Sequence, residues 1–202
     1  AGGLSRRIIA LAVTLIGHVR GGLGYVAVLA ALVMASISGS AVAETAAIAA
    51  ILLPMMRQAG YNLPRAAGLI SAGGIIAPVI PPSIGFVVFG VAAGVSITRL
   101  FLAGVVPGIL MGLALILTWY IVARDEPAAR AKRADLREVG QAVLDGLWAL
   151  GLPFLIIGGM KAGAFTPTEA AVVAAVYAAF VGGFIYRELK LQHLRPDRKS
   201  VV

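Results

Sequence analysis

Ile37-Ser38-Gly39-Ser40 interrupts apolar sequence on both sides. Leu23 to Met34 ahead of it is almost wholly apolar. Ala41 to Met56 behind it departs from that only at Glu44 and Thr45. Three small polar residues and a carboxylate do not suit a simple membrane span, because in hydrocarbon each unpartnered polar group costs several kcal/mol. The stretch must fold against other protein or hold something. A second interruption, Pro78-Val79-Ile80-Pro81-Pro82-Ser83, lies downstream, and the chain is organised around these two breaks.

Composition sets the surroundings. Of 202 residues, 60% are hydrophobic and 13% charged, with mean hydropathy +0.96. A soluble domain carries roughly 45–50% apolar and about 25% charged residues. The long runs of Ala, Leu, Gly, Ile and Val lack strict alternation, which points to an all-α integral membrane protein and away from a β-barrel. The absence of cysteine excludes disulfides and thiolate metal sites. The net charge of +8 does not signal nucleic acid, since the basic residues sit between apolar segments as membrane topology demands. Ala1-Gly2-Gly3 lacks an initiator Met and a signal-peptide pattern, so the chain reads as a fragment.

Segment lengths then assign roles. Residues 1–20 hold an apolar run too short for about 30 Å of hydrocarbon and fit an interfacial helix. Within 21–58, the arm from Leu23 to Ile37 rises about 22 Å and the arm from Ala41 to Met56 about 24 Å at 1.5 Å per residue. Two short arms with a polar tip read as a re-entrant hairpin; the alternative is one span kinked at Gly39. Residues 62–98 exceed one straight span, and Pro81-Pro82 removes two N–H donors, so they read as a broken transmembrane helix. Residues 100–123 form a full span with Gly104, Gly108 and Gly112 on one bare packing face and Trp119-Tyr120 at an interface belt. Residues 124–138 make a cytoplasmic loop, 139–163 an interfacial and transmembrane helix, 166–187 a last span, and 188–202 a cytoplasmic tail. Thr166-Pro167-Thr168-Glu169 reads as a capping box at the start of that span.

The positive charges test this topology. With a re-entrant hairpin and a crossing broken helix, Arg6, Arg7, Arg20, Arg57, Arg65, the five basic residues of 124–138 and the five from Arg187 onward share one side. Only Arg99 and Lys161 lie opposite. A bias of 15 to 2 marks the richer side as cytoplasmic. Treating the hairpin as a single span would move the first three to the other side, so the bias favours the hairpin.

Helices that end inside a membrane present free carbonyls at one end and free amides at the other, suited to a cation and an anion respectively. Ser36, Ser38 and Ser40 beside an unwound Pro-Pro-Ser83 loop would supply hard oxygen ligands for Na⁺. Glu44, one turn into the second arm, would pair with the ion or orient its ligands. Enzyme chemistry has no foothold. The two histidines, His18 and His193, lie outside the spans, and no metal-protease motif, aspartate pair or nucleotide loop is present.

Several runs carry a family likeness. Gly21-Gly22-Leu23 leading into Ile37-Ser38-Gly39-Ser40-Ala41-Val42-Ala43 resembles the large membrane subunit, or DctM-like permease, of TRAP (tripartite ATP-independent periplasmic) transporters. So do Ile80-Pro81-Pro82-Ser83, Leu100-Phe101-Leu102-Ala103-Gly104 with Pro107-Gly108, and Phe165-Thr166-Pro167-Thr168-Glu169-Ala170-Ala171. The resemblance implies an elevator-type, ion-transporter-like inverted-repeat fold, of which this chain holds essentially one repeat. The hairpin and broken helix belong to a transport domain, and the last span to a scaffold. It implies Na⁺-driven import of an organic acid, such as a C4-dicarboxylate, across a bacterial inner membrane. The partners implied are a periplasmic binding protein that delivers the acid and a small membrane subunit. Ser38, Gly39, Ser40, Glu44, Pro81 and Ser83 would belong to one Na⁺ site, and Ser40, Pro82 and Ser83 would face substrate.

Two departures from the family pattern stand out. Glu44 occupies the position where the family usually has Asp, and the second repeat with its own ion site is absent, so this chain alone is not expected to transport. A non-transporting membrane scaffold or channel-like protein, with both breaks used only for packing, is the competing reading.

Overall fold

A computed structural model describes residues 2–126 and 134–186. Its helices are α1 (Gly2–Ile16), α2 (Gly22–Ser38), α3 (Ala41–Gln58), α4 (Leu63–Gly74), α5 (Ile84–Ala93), α6 (Ile97–Val122), α7 (Leu136–Lys161) and α8 (Pro167–Phe180). A 3₁₀ turn follows α6 at Ala123–Asp125, and a π-helical turn follows α8 at Val181–Ile185. No strand occurs among the described residues. Ala41–Gln58, Ile97–Val122 and Arg137–Lys161 are long and apolar enough to cross a membrane.

Local chemistry sets the helix ends. Gly21 (φ 70°) and Gly39 (φ 60°) flank α2 in the left-handed region, which costs residues with a Cβ about 1–2 kcal/mol. Asn62 accepts from the Arg65 amide at 3.2 Å to start α4, and Ser96 accepts from the Arg99 amide at 3.4 Å to start α6. The capping box at α8 is complete. Thr166 Oγ1 accepts from the Glu169 amide at 3.3 Å, and Glu169 Oε2 accepts from the Thr166 amide at 2.7 Å. α7 begins at Leu136, so the end of the 124–138 stretch is helical. Residues 127–133 of that stretch and the tail 188–202 lie outside the described residues.

α2 is the hub, packed against α1, α3, α4, α6 and α7. Val26, Val28, Ala30, Ala31 and Ala35 are wholly enclosed. In lipid the hydrophobic effect adds little between helices, so close approach of small residues carries the association. The Gly104, Gly108 and Gly112 face of α6 does this work. A Cβ at Gly104 would strike the Val79 carbonyl and the Phe86 ring, one at Gly108 would strike Ile80, and one at Gly112 would strike Leu32.

Trp119 departs from the expectation of an interface belt. Tyr120 faces outward, with the Arg124 guanidinium 5.2 Å from its ring centroid. Trp119 is only 2% exposed. Its Nε1 donates to the Gly21 carbonyl at 2.8 Å, its ring stacks on Tyr61 at 6.4 Å, and it presses on Gly24. The reason is register: Trp119 lies seven residues beyond Gly112 and so shares the glycine face turned towards α2.

These contacts fix the chain's path. The start of α2 (Gly21), the loop after α3 (Tyr61) and the end of α6 (Trp119) meet at one end of the bundle. The α2–α3 hairpin therefore leaves from and returns to one end, α4 and α5 together run to the other, and α6 comes back. Glu126 reinforces this corner. Its Oε2 accepts from the Asn62 amide at 2.9 Å, and its Oε1 lies 3.6 Å from Arg65 Nη1. Arg20 donates to the Arg124 carbonyl at the same place.

Candidate functional site: the meeting of two helix breaks

Each break is built by the residues that interrupt the apolar pattern. At the first, Gly39 closes α2 by donating its amide to the Ala35 carbonyl at 3.2 Å, and Ser40 opens α3 with its Oγ accepting from the Ala43 amide at 3.4 Å. The first backbone bond of α3 runs from the Glu44 amide to the Ser40 carbonyl at 3.0 Å. The amides of Ala41 and Val42 thus stand outside the helix's own ladder. At the second, α4 stops at Gly74 and residues 75–80 form turns, including an Ile80 amide to Ile76 carbonyl bond of 3.1 Å. The Pro81–Pro82 peptide is cis. Ser83 then opens α5. Its Oγ donates to the Pro78 carbonyl at 2.6 Å and accepts from the Phe86 amide at 3.3 Å. The amides of Ile84 and Gly85 are the free donors there.

The two breaks meet. A Cβ added to Gly39 would collide with the Pro82 carbonyl oxygen and lie 3.4 Å from Ser83 Cα. One turn away, Gly74 packs on Thr45, and a Cβ there would lie 3.0 Å from the Ala41 carbonyl. The depth of this meeting follows from α6. Val79 and Ile80 touch Gly104 and Gly108, which lie 15 and 11 residues before Trp119. At 1.5 Å per residue that is roughly 16–22 Å from the end where the hairpin starts. The tip stops partway along α6, whose 26 residues extend about 39 Å.

The candidate residues differ in setting. Gly39, Pro82 and Ser83 are in contact. Ser40 is half-buried, Pro81 is buried, and Ser83 is 1% exposed with its hydroxyl engaged in the loop. Ser38 contributes the last residue of α2. Ser36 is buried, its Oγ donating to the Val33 carbonyl at 2.6 Å. Glu44, 1% exposed, heads the inward stripe of α3 that continues through Ile48, Leu52 and Met56. Val42 and Ile84, in the first turns of α3 and α5, are exposed.

Thr45 and the Pro78 carbonyl escaped the sequence reading as parts of this site, whereas Gly73-Gly74 reads in the sequence as room for a close backbone approach just before the break, and Gly74 meets Thr45 there. Thr45 left a signal, being the other polar residue in the apolar arm. The Pro78 carbonyl could leave none, because every residue has one.

The arrangement offers α2's C-terminal carbonyls and the loop carbonyls to a cation, and two helix N-termini to an anion. Paired helix breaks that meet partway along the bundle, beside three helices long and apolar enough to cross a membrane and with no strand among the described residues, fit a multi-pass membrane protein. Comparison with known families makes this specific. Residues 1–196 match the DctM component of the tripartite ATP-independent periplasmic transporters. The chain belongs to that family.

Among similar proteins, the 2,3-diketo-L-gulonate TRAP transporter large permease protein of Escherichia coli is 58% identical over 94% of this chain and 44% of its own length. The C4-dicarboxylate TRAP transporter large permease protein of Pseudomonas aeruginosa is 46% identical, again over 94% of this chain and 44% of its own length. The sialic acid TRAP transporter large permease protein of Vibrio cholerae is 39% identical over the same shares. The chain therefore spans less than half the length of these curated relatives.

Proposed function

We propose that this chain forms part of the large permease subunit of a Na⁺-coupled TRAP transporter that imports an organic acid across a bacterial inner membrane. A periplasmic binding protein delivers the acid, and a small membrane subunit braces the scaffold. The observation that carries this reading is the contact of Gly39 with Pro82 partway along α6. Breaks serving packing alone have no need to face each other with exposed helix N-termini alongside, so the transporter reading is preferred to a scaffold or channel. The names of the three relatives share an organic acid, which suits a site with amide donors at Ala41, Val42, Ile84 and Gly85.

In this proposal α2–α3 is a re-entrant hairpin and α4–α5 a broken transmembrane helix, together one repeat of an inverted-repeat elevator fold. Ser38, Gly39, Ser40, Pro81 and Ser83 hold Na⁺ through hydroxyl and carbonyl oxygens. The Ser83 hydroxyl, having donated to Pro78, keeps one lone pair beyond that used by Phe86. Glu44 supplies the buried negative charge, and Ser40, Pro82 and Ser83 border the substrate. Residues 1–20 lie along the cytoplasmic surface. In support, Arg7 near their start pairs with Asp145 at 4.0 Å, and Arg20 past the end of α1 donates to Arg124.

The test is uptake by the complete system, reconstituted with its binding protein and small subunit. Uptake of an organic acid should require Na⁺, fail when K⁺ replaces it, and fall to background with Ser38→Ala plus Ser40→Ala. Na⁺-driven uptake that survives both substitutions contradicts the assignment.

A further inference from the structure

An open groove of about 390 Å³ runs between α1 and α7. Arg6, Arg7, Glu138, Gln141 and Asp145 line it over a small apolar floor. Arg7 is held in place: its Nη1 lies 4.0 Å from Asp145 Oδ1, and its guanidinium covers the Tyr186 ring at 4.0 Å. Tyr186 in turn donates to the Asp145 carbonyl at 2.7 Å. The Asp145 side chain itself is 69% exposed and open to a ligand. Within one turn of Asp145 on α7, Trp148 is exposed. An exposed indole thus follows the charged lining within one turn, a residue type suited to the boundary between headgroups and acyl chains.

We infer that this groove binds the headgroup of a zwitterionic phospholipid carrying a primary ammonium, of the phosphatidylethanolamine type. The phosphate would sit by Arg6 and Arg7, and the ammonium by Asp145 and Glu138. Two guanidiniums and two carboxylates sum to zero, so a purely anionic headgroup gains nothing over a zwitterion. Glu138 Oε2 already accepts from the Asp135 amide at 3.1 Å and Asp145 Oδ1 lies 4.0 Å from Arg7, and the other carboxylate oxygens accept further N–H donors, which a primary ammonium has and a trimethylated one lacks. Trp148 would border the acyl chains. The inference uses the membrane placement and is independent of the ion site.

The experiment is lipid retention by the full gene product, purified with its partner subunits and examined by native mass spectrometry. Equimolar phosphatidylethanolamine, phosphatidylcholine and phosphatidylglycerol would be offered. Phosphatidylethanolamine should be retained roughly tenfold over either competitor, the worth of one charge-assisted hydrogen bond. Asp145→Asn should erase the preference over phosphatidylcholine, and Arg6→Gln should lower retention of all three. Unchanged unfolding temperatures in lipid-free detergent would show that both variants fold. Glycerophosphoethanolamine, the headgroup without tails, should not compete at the same concentration. Equal retention of the three lipids, a preference that survives both substitutions, or full competition by the free headgroup would each overturn the assignment.

Discussion

Gly39 lies against the carbonyl oxygen of Pro82 so closely that no side chain fits between them. This contact joins two parts of the chain that the sequence separates by 43 positions, and it places a hairpin tip on an unwound segment. Gly39→Ala therefore incurs two penalties. A Cβ in the left-handed region costs about 1–2 kcal/mol, and the clash with backbone must push the tip away from the broken helix. Uptake by the complete transporter should fall to background while the protein still unfolds cooperatively, a few degrees lower.

Trp119 ties the end of α6 to the start of α2. Trp119→Phe keeps most of the ring but loses the bond to the Gly21 carbonyl, which should lower stability by about 1 kcal/mol. Gly24→Ala drives a methyl into the same ring and should cost at least as much. Denaturant unfolding in detergent would check both, with Tyr120→Phe on the exposed side as the neutral control.

Glu126 is buried, whereas its partner Arg65 has a side chain 45% exposed. The consequences of removing each should differ. Glu126→Ala leaves the Asn62 amide without its acceptor and should cost about 1–3 kcal/mol. Arg65→Ala removes a partly solvated pair at 3.6 Å, worth about 1 kcal/mol or less. The double variant should be little worse than Glu126→Ala alone, and a double-mutant cycle would measure the difference.

Thr166→Ala removes the side-chain acceptor at the start of α8 and should cost about 1 kcal/mol of stability. Thr166→Ser should restore it. Transport in the Thr166→Ser variant should match that of the unaltered protein, since the cap is structural.

The sequence exposed those features whose cause is local. A polar residue in an apolar run, a proline pair and a Thr-Pro-Thr-Glu start each act within one or two helical turns, and all became helix ends in the structure. Gly104, Gly108 and Gly112 were readable as a packing face, but not what they pack on. Trp119 misled because its type favours interfaces, while its position on the glycine face turned it inward. Glu126 looked like one charge among many in a polar segment. Its partners, Asn62 and Arg65, lie some sixty residues away, and a pairing of that range leaves no periodic trace. At the candidate site the serines and Glu44 were visible as anomalies. The Pro78 carbonyl was not, because backbone groups acquire individual roles only when a fold brings them together.

The central claim is that the joined breaks bind Na⁺, and thermal unfolding of the complete purified complex tests it most directly. Unfolding would be followed in Na⁺ and, at equal ionic strength, in K⁺, for the unaltered protein and for Ser38→Ala plus Ser40→Ala. A ligand that binds the folded state alone raises its unfolding temperature as its concentration rises. Na⁺ should stabilise the unaltered complex in a saturable way that K⁺ does not reproduce, and the double variant should lose most of that gain. Equal behaviour in the two salts, or a Na⁺ effect undiminished in the variant, would contradict the account.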